Sequence, residues 1–147
     1  MPLWLHIFNP ITMIAAIFAV LVLNFGFMCI ASFGTAEKKP VKFALSNLMT
    51  AFICAAVTIS VGYAVMGCVF SFADEALQDG ILNCDYSSLN VIKIPIISLC
   101  LSVVVGCVLS RFLLFKKTQF DRFNRTALCI AFALINLPYI LILPVVK

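Results

Sequence analysis

Charge is what this sequence has least of. Only 11% of its 147 residues are Asp, Glu, Lys or Arg, while 64% are hydrophobic. Soluble domains carry roughly 25% charged and about 45–50% apolar residues. A water-soluble domain of this length has too little interior to hide so much apolar surface. The charges are also missing in blocks, since residues 1–36, 43–73, 94–110 and 126–146 contain none. Crossing the ~30 Å hydrocarbon core takes about 20 mostly apolar residues, and these blocks make up more than two thirds of the chain. A soluble domain is excluded.

Reactive groups are scarce as well. The single histidine, His6, rules out bis-histidine haem ligation within the chain and reads, beside Trp4, as part of an interfacial anchor. The seven cysteines include no C-x-x-C; the closest two, Cys100 and Cys107, are seven positions apart. That excludes the zinc and dithiol motifs. Cys29, Cys54, Cys100, Cys107 and Cys129 fall in apolar runs and read as small packing residues. Cys68 lies just before an acidic connection and Cys84 near its middle. On an oxidising side they could form a disulfide closing a loop of about 16 residues, worth roughly 3 kcal/mol in the chain-entropy view. There is no glycine-rich phosphate loop, no Ser/His/Asp set and no ionisable residue deep in an apolar run. Proton relays and voltage sensors depend on such buried groups. No catalytic, cofactor-binding or metal-ligating residue is nominated, and an enzyme is not expected.

What remains is an all-α, polytopic integral membrane protein with four transmembrane helices in a single transmembrane domain over residues 1–147. Backbone in lipid must satisfy its own hydrogen bonds, so each apolar run is expected to be helical. The spans are placed at about 10–33, 44–71, 94–115 and 126–146. Pro10 and Pro95 suit first helical turns, and Pro138, inside the fourth run, predicts a kink. The first run has no Lys or Arg before it, unlike a cleaved signal peptide, and is expected to be retained.

Eight of the ten basic residues fall on one side: Lys38, Lys39 and Lys42 in the first connection, and Arg111, Lys116, Lys117, Arg122 and Arg125 in the third. The middle connection, 72–93, carries Asp74, Glu75, Asp79 and Asp85. The positive-inside rule then puts both termini and the acidic loop outside. The net charge of +4 reports this topology and gives no reason to expect nucleic acid.

Small residues at four-residue spacing let helices approach closely in lipid. Span two offers Ala56, Ser60 and Ala64, and span three offers Ser98, Ser102, Gly106 and Ser110. These stripes predict that spans two and three form the tightest pair. Asn24, Asn47 and Asn136 are expected to face other helices, because an amide facing lipid is unsatisfied. Spans one and four present bulkier faces, with Ile14, Phe18, Leu21 and Phe25 on one and Leu134, Ile140, Leu141 and Ile142 on the other.

The stretch RFLLFKKTQFDRFNR interleaves Phe112, Phe115, Phe120 and Phe123 with Arg111, Lys116, Lys117, Arg122 and Arg125. Aromatic rings enter the headgroup boundary while basic side chains meet phosphates. It reads as a positive-inside anchor, or as a docking surface for anionic headgroups or a partner subunit. Asn124-Arg125-Thr126 matches the N-glycosylation pattern but lies on the expected inner side.

Within this stretch, Ser110-Arg111-Phe112 through Phe115-Lys116 resembles the span-end motif of GtrA-like proteins. That resemblance implies a small four-span protein involved in moving lipid-linked sugars. It covers fewer than ten residues, follows the third span, and has no counterpart in PYILILPVVK at residues 138–147.

Two functions fit. The first is a non-catalytic membrane subunit that contributes helix packing and lipid or partner docking to a larger complex. The second is a small homo-oligomeric transporter, channel or lipid flippase. Expected partners are membrane lipids and other membrane subunits.

Overall fold

The computed structural model describes residues 9–33, 40–83, 88–116 and 122–138. Among these, all regular structure is helical: α1 (Pro10–Ser32), α2 (Pro40–Phe72), α3 (Glu75–Asn83), α4 (Leu89–Leu109) and α5 (Arg122–Ile135). A π turn, Ser110–Leu114, continues α4. α1, α2 and α4 with its π turn are each long and apolar enough to cross a membrane, and α5 adds a shorter apolar helix. The chain is an all-helical, multi-pass membrane protein.

Each helix end has a local cause. Asn9 caps α1, its Oδ1 accepting the Ile11 N–H at 3.0 Å, and Pro10 follows where a missing N–H costs nothing. α2 runs for 33 residues, about 50 Å at 1.5 Å per residue. It starts at Pro40, earlier than expected, because the exposed Lys42 does not interrupt a helix at the membrane rim. α4 likewise begins at Leu89, so Pro95 lies inside the helix instead of its first turn.

The 72–93 connection is not simply a loop. Asp74 accepts the Leu77 N–H at 3.0 Å and starts α3. The Gln78 side chain then donates to the carbonyls of Phe70 and Ala73 at 3.0 and 3.1 Å, covering acceptors at the end of α2. The fourth span also differs from expectation. α5 ends at Ile135, short of Pro138, and Leu137 N–H closes the end on Leu134 O at 3.4 Å. Pro138 has no N–H to extend the ladder and disfavours helical backbone in the residue before it. The remainder of the expected span, from residue 139, lies outside the described residues.

α1 packs on α2, α2 on α4, and α4 on α5. Two apolar clusters result. One, toward the basic connections, gathers Phe27, Met28, Phe43, Ala44, Phe115 and Phe132 from all four long elements. The other, toward the acidic connection, joins Met66 of α2, Ile81 of α3, and Val91 and Ile94 of α4. Ile14, Phe18 and Leu134 are exposed, as expected of lipid-facing positions, whereas Leu21 and Phe25 are half-buried.

Candidate functional site

Polar side chains inside an apolar bundle show where function or specificity is built. Two buried amides stand out, Asn24 on α1 and Asn136 just after α5. Their amides bond reciprocally: Asn24 Nδ2 donates to Asn136 Oδ1 at 2.9 Å, and Asn136 Nδ2 to Asn24 Oδ1 at 3.0 Å. The second N–H of each turns back to its own chain, to Val20 O at 2.8 Å and Phe132 O at 2.9 Å. All four N–H groups are satisfied, and helices distant in sequence are set in register. One turn toward the basic end, Phe27 and Phe132 meet with ring centroids 5.7 Å apart and planes at 60°, a tilted aromatic contact. Asn47 behaves differently from the expectation for it. It is half-buried and donates within α2, to Phe43 O at 2.9 Å and Ser46 Oγ at 3.2 Å.

The predicted stripe on α4 is an interior face, with Ser98, Ser102, Gly106 and Ser110 all buried. Their hydroxyls donate to the carbonyls of Ile94, Ser98 and Cys107 on the same helix, leaving a smooth surface. The predicted partner stripe is on the wrong side of α2. Ser60 and Ala64 are exposed, and Ala56 is half-buried against α1. α2 instead buries Ala51, Ala55, Thr58, Gly62 and Met66. Two residues along a helix turn the side chain by about 200°, so choosing Ala56 and Ser60 over Thr58 selected nearly the opposite face. Spacing of three and four through small residues also describes Ala51-Ala55-Thr58-Gly62, and that signal was present in the sequence. The contact itself is close. A Cβ on Gly106 would lie 2.9 Å from Thr58 Oγ1 and 3.1 Å from Ala133 Cβ, so α2, α4 and α5 meet at this glycine.

Ala56 and Ser60 line an apolar groove of about 310 Å³ between α1 and α2, together with Met13, Ile17, Phe52 and Tyr63. The Tyr63 hydroxyl is buried there without a hydrogen-bond partner.

At the basic end the π turn reshapes the start of the predicted docking stretch. Phe115 N–H reaches back five residues to Ser110 O at 2.9 Å. Leu114 and Phe115 thereby turn inward, to 3% and 0% exposure, while Arg111, Phe112 and Leu113 face outward. Wider turns of this kind occur where helices end. Phe115 is thus a core residue and not part of a headgroup-facing aromatic row. Arg111, Phe112 and Lys116 are exposed, and Arg125 is half-buried. Arg122 and Phe123 open α5, and nothing further is described of their side chains; Lys117 and Phe120 lie outside the described residues. A cavity of about 390 Å³ lies between the π turn and α5, lined by Cys107, Val108, Arg111, Phe112, Thr126, Cys129 and Ile130. Sequence reasoning did not anticipate this hollow, which needs two helices to form.

Cys68 is exposed near the end of α2 and carries a free thiol. Cys84, its expected disulfide partner, lies outside the described residues. No group of three His, Cys, Asp or Glu side chains comes together among the described residues in a way that could hold a metal.

No family model matches the chain, and neither the curated proteins nor the solved structures give a match. The short likeness to GtrA-like proteins at Ser110–Lys116 therefore stands without family support.

Proposed function

We propose that the chain is a non-catalytic integral membrane subunit whose work is helix packing and docking within a larger membrane complex. The carrying observation is the fate of the buried polar side chains. Asn24 and Asn136 consume each other, and Ser32, Thr58, Ser98, Ser102 and Ser110 each donate to a carbonyl of their own helix. A path for a polar solute needs interior groups free to exchange partners with that solute; the amides are committed to joining two helices and these hydroxyls to carbonyls of their own helices. In this reading the basic end faces the cytoplasm or its equivalent and both termini face away.

Purification of the tagged full chain in mild detergent, with mass-spectrometric identification of co-purifying chains, tests the proposal. Unlike membrane chains at fixed stoichiometry, and faster unfolding of the chain once they are stripped away, are the expected result. A stable assembly of this chain alone that moves a solute or lipid in liposomes would overturn it in favour of a transporter.

A further inference from the structure

We propose that the cavity between the π turn and α5 is a binding site for one anionic glycerophospholipid, its phosphate held by Arg111 and its first methylenes lying against Val108, Phe112 and Ile130. The inference rests on the membrane placement of the bundle and not on the subunit reading.

Depth comes first. Arg111 is the residue at which a charge-free run of apolar sequence ends, so the cavity mouth lies where hydrocarbon gives way to headgroups. Shape comes second. The cavity holds about 390 Å³, far more than a water's ~30 Å³ share of liquid. Its wall is mainly apolar, with one guanidinium and the Thr126 hydroxyl as the polar groups capable of fixing a headgroup.

Charge comes third. A guanidinium offers a fork of donors matched to two phosphate oxygens. Arg125, half-buried, immediately precedes Thr126 of the cavity wall and adds a second positive charge on the same helix end. The five Lys and Arg of residues 111–125 face one acid in that stretch, Asp121. Basic hollows between transmembrane helices on this side of a membrane suit anionic headgroups.

The π turn supplies the fourth point. With an ordinary helical turn, residues 113 and 114 would stack beneath Ser110. The wider turn places Leu114 and Phe115 there and leaves Arg111 and Phe112 together at the cavity rim. A local loss of regular helix thus yields one cationic and one apolar contact for the same ligand.

Cys107, half-buried in the cavity wall, makes its occupancy measurable. The full chain is placed in nanodiscs of phosphatidylcholine alone or with phosphatidylglycerol. N-ethylmaleimide modification is then followed at each cysteine by peptide mass mapping. Phosphatidylglycerol is expected to slow modification of the half-buried Cys107 at least fivefold and to leave the exposed Cys68 unchanged. Arg111→Gln should abolish this protection, whereas Lys42→Gln, which removes an exposed basic charge elsewhere on the same end, should retain it.

Ile130→Trp, which fills the cavity and keeps both arginines, provides an independent variant should Arg111→Gln fail to fold. It is expected to slow modification of Cys107 in both lipids and to erase the difference between them. Equal protection by phosphatidylcholine, equal loss in Lys42→Gln and Arg111→Gln, or protection by inorganic phosphate in place of lipid would each overturn the proposal. Helix content in phosphatidylcholine nanodiscs reports separately on insertion, and co-purification reports on the subunit reading.

Discussion

At the basic end, α1, α2, α4 and α5 converge on large side chains, and Phe27, Met28, Phe115 and Phe132 are at most 7% exposed. At the acidic end, three elements meet around Met66, Ile81, Val91 and Ile94, and the buried residues of α1 all lie from Asn24 onward. The amide pair of Asn24 and Asn136 stands at the border between the two regions. Helices in lipid gain no hydrophobic energy by leaving the lipid for one another, so dispersion, close fit and polar bonds must hold them. The basic end uses bulky interlocking aromatics. The middle uses a glycine contact and paired amides. The acidic end uses a short helix that seals the end of α2.

The comparison predicts a gradient of mutational cost, readable as shifts in unfolding midpoint in detergent micelles followed by circular dichroism. Phe132→Ala should be the most damaging. It empties a fully buried site touched by Phe27, with a cost on the order of 3 kcal/mol. Ile81→Ala at the acidic end should cost clearly less, and equal costs would break the distinction between the ends.

Gly106→Ala comes next, at about 2 kcal/mol, because the new methyl meets Thr58 and Ala133 on two other helices. Combining it with Thr58→Ala should recover part of the loss. Additive damage instead would mean that this contact is not where α2 and α4 touch.

Either Asn24→Leu or Asn136→Leu should cost about 1–2 kcal/mol by orphaning the other amide. The double substitution should cost less than the two singles summed. A strictly additive pair would dissolve the border between the two regions.

Gly80→Ala should have the smallest effect, about 1 kcal/mol. Its methyl would lie 2.6 Å from Cγ2 of the buried, β-branched Val91, so the nine-residue α3 must shift on α4 to admit it. Hydrogen exchange should show the change confined to α3 and the first turns of α4. Spread to Phe132 would show that the ends are coupled.

Much of this was legible from pattern alone. Charge-free runs located the helices, because a charged side chain in hydrocarbon is costly wherever the fold places it. Asn24 and Asn136 were identified as interior by the same reasoning, and the Ser98–Ser110 stripe by its spacing. α3 carried a readable signal in Asp74 followed by Leu77 and Ile81 at helical spacing, but the acidic composition of 72–93 masked it. Span two failed for a different reason. Nearly every face of α2 is apolar or small, so periodicity could not decide between Ala56-Ser60-Ala64 and Ala51-Ala55-Thr58-Gly62. Lipid rewards no particular face, and only the neighbouring helix breaks the tie.

The sequence by itself determined that the chain is helical, lives in a membrane and separates its basic from its acidic connections. These follow from solvation, which acts on each residue one at a time. The tertiary structure decided which face of α2 meets α4, that Asn24 pairs with Asn136 while Asn47 stays on its own helix, and that a π turn and α5 leave between them an apolar hollow with Arg111 in its wall. Those outcomes depend on shapes fitted across separate helices, and close fit is a property of pairs.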